Sequence, residues 1–226
     1  MHDRVTEQAA LRYRLSGFDR DQIDSTSHRT WGACTRCGLS RTRTRVALKR
    51  RGGQGRIRLL LIGEAPGQFE DALGVPFVGH SGRILDKTIE YTVHSFHAPF
   101  SYLITNTVCC RPQTIEYLST EIEDSPLEEL HYGEDYEIYD YNRDPSPQEM
   151  AACRPHIDEL VEDYSPHGIV YVGKVAKSYL TRLPTVELLH PAYIARLEAK
   201  LQTVLKEATK LSRFIHRLNH EVPYDS

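Results

Sequence analysis

The chain has 226 residues, 40% of them hydrophobic, five cysteines and a formal net charge of −3. That length suits one substantial core rather than two, so a single domain over 1–226 is expected, and a monomer. No apolar run approaches the roughly 20 residues of a membrane helix and the N-terminus is too polar for a secretory signal, which predicts a soluble cytoplasmic protein whose cysteines are metal ligands or core residues rather than a disulfide framework.

Taken in chain order, the first feature is a charge run. Nine Lys or Arg and no acid lie between Cys34 and Gly63, a stretch suited to phosphate contacts. Its end, "IRLLLIG" at 57–63, is nearly continuous in hydrophobicity, as a strand buried on both faces would be, and leads into Gly63-Glu64-Ala65-Pro66-Gly67. A helix follows over "SGRILDKTIEYTVHSF", with Ile84, Leu85, Thr88, Ile89 and Thr92 on one stripe, and then a strand "SYLITNTV" at 101–108. From Thr114 to Tyr141 there are ten acids, five tyrosines and no Lys or Arg. This segment, 114–141, reads as an acidic, Tyr-rich insertion, partly ordered at best, suited to docking a protein partner or masking a DNA-binding face. Outside it, 28 basic residues face 21 acids, so the remaining body is basic.

The segment "SPQEMAACRPHIDELVEDY" predicts a helix with Ser146 as N-cap, Pro147 in the first turn and Glu149 as capping-box partner. Strands "GIVYVG" at 168–173 and "TVELL" at 185–189 flank a short helical crossover, "KVAKSYLTRL". A long amphipathic helix is expected over 193–218, with Ile194, Leu197, Leu201, Leu205, Ala208, Leu211 and Ile215 on its buried face. The alternation gives an α/β class, a three-layer α/β/α sandwich on a central four-stranded parallel sheet.

Ligands gather at the carboxyl ends of parallel strands, and three of the four ends carry a polar group: Glu64, Asn106 and His190. Cys34 and Cys37 form a close pair, whereas Cys110 and Cys153 stand far apart. A zinc ribbon normally has two close pairs, so spacing alone leaves zinc and iron–sulfur both open.

The linked phrases "GEAPGQFEDALGVPFVGHSG", "YLITNTVCCRP", "NRDPSPQEMAACRPHI" and "HPAYIAR" resemble, in order, the iron–sulfur (family 4) uracil-DNA glycosylases over most of residues 30–200. The resemblance implies hydrolysis of the N-glycosidic bond of flipped-out deoxyuridine, in single- or double-stranded DNA. It gives Glu64 the water, His190 the departing uracil oxygen, Phe77 the stacked base and Asn106 the uracil edge. The backbone N–H of Ala65 would help hold the base, and Glu70 would crowd the C5 position. Tyr193, Ile194 and Arg196 match the loop that wedges into the duplex. It further implies a structural four-iron–four-sulfur cluster on Cys34, Cys37, Cys110 and Cys153, with Cys109 spare although either neighbour could serve, and no nucleotide cofactor. Two departures stand out: the acidic insertion, and the short approach of about a dozen residues from "GIVYVG" to "ELLHP". The competing readings are a non-catalytic binding module on the same fold and a glycosylase for another modified base, either one specialised to a phage genome.

Overall fold

In the computed structural model, residues 31–119 and 136–223 are described. The middle of the acidic insertion, 120–135, lies outside the described residues. Five strands form one sheet in the order β1-β3-β2-β6-β7. Strand β2 (Arg58–Gly63) pairs in parallel with β3 (Ser101–Asn106) and with β6 (Gly168–Val172), which pairs in parallel with β7 (Thr185–Leu188). These are the four expected strands. The sheet is mixed, however, because β1 (Arg50–Gly52) adds an antiparallel edge beside β3. A three-residue strand of sequence RRG carries no apolar signal by which it could be found.

The central strand shows why its sequence is apolar at every position. Leu59, Leu60, Leu61 and Ile62 are all fully buried, and because side chains alternate across a sheet they serve two cores. Leu59 and Leu61 pack with Leu85 and Ile89 of α2 (His80–Glu90) and with Leu211, Phe214 and Ile215 of α5 (Lys200–Glu221). Leu60 and Ile62 pack on the other face with Ile157 and Leu160 of α3 (Pro147–Tyr164). Each such burial contributes about 1.5–3 kcal/mol, and together they hold helices on both faces of the sheet. A further short helix, α1 (Gln68–Leu73), follows the turn after β2.

The α3 capping box forms as expected, with the Glu149 N–H donating to Ser146 Oγ at 3.2 Å and the Ser146 N–H donating to Glu149 Oε2 at 2.8 Å. Three expectations need correction. The crossover at 174–183 holds only a 3₁₀ turn, Val175–Ser178. The helix expected over 193–218 is two helices, α4 (Pro191–Ala195) and α5, separated at Arg196–Ala199. That break resets the phase of the apolar stripe, so Val204 takes a core position while Leu201 is 58% exposed. The flanks of the acidic insertion are strands, β4 (Gln113–Ser119) and β5 (Tyr136–Asn142), which pair antiparallel as a separate hairpin. Arg111 fastens the hairpin base, donating to Asn142 Oδ1 at 2.6 Å and to Gln113 Oε1 at 3.0 Å.

The basic run also differs from expectation, because much of its charge is turned inward. Buried Arg50 ion-pairs with Asp86. Arg43 donates to the Cys34 carbonyl at 2.6 Å, Arg56 to the Val222 and Pro223 carbonyls at 2.9 Å, and Arg58 to the Ser165 carbonyl at 2.9 Å. Guanidinium groups satisfy carbonyls at helix and chain ends here, a role that charge counting cannot separate from phosphate binding. No helix among the described residues is long and apolar enough to cross a membrane.

Candidate active site

The carboxyl ends of β2, β3 and β7 bring their polar groups to one cavity of about 390 Å3. Glu64, Ala65, Glu70, Phe77, Asn106 and His190 all line it. Parallel register explains part of this convergence, since Gly63 at the end of β2 stands opposite Asn106 at the end of β3.

Gly63 also makes the cavity possible. A Cβ there would lie 2.4 Å from the Phe77 ring and 2.5 Å from Asn106 Oδ1, so any other residue would push both side chains away. Phe77 sits in the left-handed region with φ of 57°, a strain of about 1–3 kcal/mol for a bulky residue. Two contacts hold it there. The Phe77 carbonyl accepts from Arg50 Nη1 at 3.0 Å, and Gly82 of α2 approaches so closely that a Cβ would lie 1.8 Å from that oxygen.

Asn106 is 1% exposed, and neither its Oδ1 nor its Nδ2 has a hydrogen-bond partner. Leaving such groups buried and unpaired costs about 1–3 kcal/mol each. Glu64 is half-buried, and its carboxyl is raised above the usual range by burial first and then by the neighbouring Asp144 carboxylate. Asp144 follows the hairpin, 80 positions from Glu64, and nothing local in the sequence pointed to it.

His190 caps α4. The Ala192 N–H donates to its Nδ1 at 3.2 Å, which places the ring proton of the neutral imidazole on Nε2. Burial, and then Arg196, push its pKa down, so the ring is neutral at neutral pH. Gly173, with φ of 95°, passes the ring so closely that a Cβ would lie 2.9 Å from His190 Cδ2. The short approach to His190 is secured from α5: buried Glu207 accepts the Leu189 N–H at 2.9 Å. A single carboxylate-accepted hydrogen bond is worth about 1.5–3 kcal/mol. Glu207→Ala should therefore speed amide hydrogen exchange at Leu189 by at least about tenfold, and Glu207→Gln, which keeps an acceptor oxygen, should recover most of the protection.

Glu70 has both oxygens engaged, Oε1 by the Gly79 N–H at 2.7 Å and Oε2 by the Gly67 N–H at 3.1 Å. It ties the turn after Glu64 to the loop that carries Phe77. Of the three residues expected to enter the duplex, Tyr193 is 51% exposed and Arg196 is exposed, but Ile194 is 2% exposed and belongs to the core. Ile194 is thus excluded as a wedge by its packing.

All five cysteines line a second, narrow cavity, walled by Trp31, Leu39, Val46 and Val108. Arg43 Nη1 lies 3.5 Å from Cys110 Sγ. A hydrogen bond from Cys109 holds the Cys153 thiol down, while that bond and complete burial push Cys109 well up. Among the described residues, no three His, Cys, Asp or Glu converge on a position for a single metal ion.

Comparison with known proteins gives a consistent result. A family model described as the uracil DNA glycosylase superfamily matches residues 51–218. A Type-4 uracil-DNA glycosylase of Saccharolobus solfataricus is 30% identical over 147 residues, covering 65% of this chain and 54% of that protein. The Type-4 uracil-DNA glycosylase of Thermotoga maritima is 27% identical over 207 residues, covering 81% of this chain and 90% of its own. That of Archaeoglobus fulgidus is 26% identical over 179 residues, covering 79% and 72%. The matched part spans about half the length of the Saccharolobus and Sulfurisphaera relatives.

Proposed function

Because the chain belongs to the uracil DNA glycosylase superfamily, we propose that its strand-end cavity excises uracil from DNA. The observation that carries this reading is Asn106, a buried amide with both polar atoms unpaired, in the same cavity as Glu64, Phe77 and His190. An orphaned amide of this kind is costly unless a ligand completes it. Uracil does so, donating N3–H to Oδ1 and accepting at O4 from Nδ2; cytosine presents the opposite pattern and is refused.

The base must leave the stack, at a cost of a few kcal/mol. Stacking on Phe77, worth about 1–3 kcal/mol, offsets part of it, and Tyr193 with Arg196 would fill the vacated space. The C1′–N1 bond then breaks, and its electron pair leaves with uracil. His190 Nε2–H donates to the uracil oxygen on which that charge settles. A water oxygen bonds to C1′, and its proton passes to the Glu64 carboxylate. Incubating the protein with single- and double-stranded oligonucleotides carrying uracil, thymine, hypoxanthine or 5-hydroxymethyluracil should give abasic sites at uracil alone. Binding without any abasic product would instead identify a non-catalytic module.

The cysteine cavity fits an iron–sulfur cluster. Four thiols distributed around one cavity are the donor set such a cluster takes. Cys34, Cys37, Cys110 and Cys153 would hold it, with the Arg43 guanidinium favouring the Cys110 thiolate and Cys109 donating from behind to Cys153. Such a cluster would cross-link the segment of Cys34 and Cys37 to the loop after β3 and to α3. Protein purified without oxygen should contain about four irons per chain. Cys153→Ser should lose most of that iron and its visible absorbance, whereas Cys109→Ser should retain both; equal loss in the two variants would make Cys109 a ligand.

A further inference from the structure

A second groove lies away from the cavity, on α5 beside the edge strand β7. It encloses about 630 Å3, and four cations of α5 line it, Lys206, Lys210, Arg213 and Arg217, with no acid among the lining residues. Their spacing of four, three and four residues keeps them on one helix face. Over 11 residues at about 1.5 Å each, the stripe extends about 16 Å.

We propose that this face of α5 is a phosphate track that holds the DNA flanking the nucleotide in the active-site cavity. The proposal rests on the reading of that cavity as a DNA site. Three observations support it. First, the charge is available: among the described residues Lys206 and Arg213 have no acidic partner, Arg217 lies over the Phe214 ring, and Lys210 approaches Glu207 only at 4.0 Å. The arginines of the basic run before β2 are, by contrast, largely engaged with carbonyls and Asp86. Second, one end of the track is tied to the active-site loop, because Glu207, the neighbour of Lys206 in α5, holds the Leu189 N–H immediately before His190. Third, four cations in single file over about 16 Å suit the regularly repeated negative charge of one phosphate strand. An acidic polypeptide would also be drawn to the charge, and a salt slope measured on duplex DNA separates it from a phosphate track.

Salt dependence reads the track directly. Each phosphate neutralised on a duplex adds about 0.9 to the slope of log affinity against log salt. With a uracil-free duplex long enough to span cavity and α5, Lys206→Gln/Arg213→Gln/Arg217→Gln should reduce that slope by about 2–3. Arg213→Lys/Arg217→Lys, which keeps the charge, should leave the slope as in the unaltered protein. Excision from a uracil trinucleotide, too short to reach α5, should be unchanged in both variants. An unchanged slope in the triple variant overturns the proposal. So does a synthetic peptide of residues 114–141 that binds the protein, fails to bind the triple variant and leaves the duplex slope untouched, for the groove then serves an acidic polypeptide. If the unaltered protein excises no uracil from the trinucleotide while the slopes still differ as expected, the track stands and the uracil reading of the cavity fails.

Discussion

Glu64→Gln should reduce uracil excision by about 10²–10⁴-fold, leave affinity for uracil-containing DNA nearly intact, and raise the melting temperature at neutral pH. The rate follows from the loss of the one carboxylate among the described cavity residues not already occupied by backbone donors, since both Glu70 oxygens are engaged. The stability gain follows from linkage. Burial and Asp144 raise the Glu64 pKa above its ordinary 4.5, so the folded state favours the protonated form. Stability from that group is fully present below its unfolded pKa and is lost as pH rises through the folded value. At neutral pH an ionised Glu64 therefore costs stability, and the amide removes the cost. The gain should shrink as pH falls toward 4.5. The same shift governs activity: a base must be ionised, so kcat/KM should fall on the acid side through a pKa above 4.5, and Asp144→Asn should move that limb to lower pH. Single-turnover excision across pH, with melting curves on the same samples, checks all of these. A melting temperature unchanged by Glu64→Gln would show that the carboxylate is not strained by its surroundings.

His190→Ala should cost about 10²–10³-fold in excision, the usual effect of losing one preorganised donor to a developing oxyanion, or roughly 3–4 kcal/mol. Because the charge appears on uracil only as the bond breaks, the loss should fall on kcat rather than on binding. In the proposed reaction the imidazole is a neutral donor, its pKa pushed below 6.5 by burial and by Arg196. Excision should accordingly show no second limb between about pH 6.5 and 8 attributable to this residue. A clear histidine limb in that range, abolished by His190→Ala, would mean that the protonated ring does the work.

The central parallel strands were legible because they are buried on both faces and apolar throughout, as Leu59 to Ile62 and Ile169 to Val172 are, whereas the edge strand β7 exposes Thr185 and was marked by Val186 and Leu188. β1 was not, because Arg50 and Arg51 give no period and the strand exists only by pairing with β3. The phase error at Leu201 has the same origin: without Gly or Pro at Arg196–Ala199, nothing local announces that α4 and α5 are separate helices. Within the candidate site, Glu64, Asn106 and His190 could be found by their chemistry at strand ends, whereas Ala65, Glu70 and Phe77 were marked only by the resemblance. Their supports could not. Arg50 reaches the Phe77 carbonyl across 27 positions and Glu207 reaches Leu189 across 18, and each looks in sequence like one more surface charge. The basic run misled for the converse reason, since Arg56 and Arg58 read as a DNA grip and are bound to carbonyls of their own chain.

The two glycines against Phe77 bear on how far this pocket can drift or be redesigned. A side chain at 63 would meet the ring and the Asn106 amide, and one at 82 would meet the Phe77 carbonyl. Neither position can therefore be used to enlarge, shrink or recharge the seat of the base, by natural variation or in the laboratory. Variants selected for a different base are expected to carry their changes at Gln68, His80 or Ser81, which line the cavity without bracing Phe77, and to keep glycine at both braces.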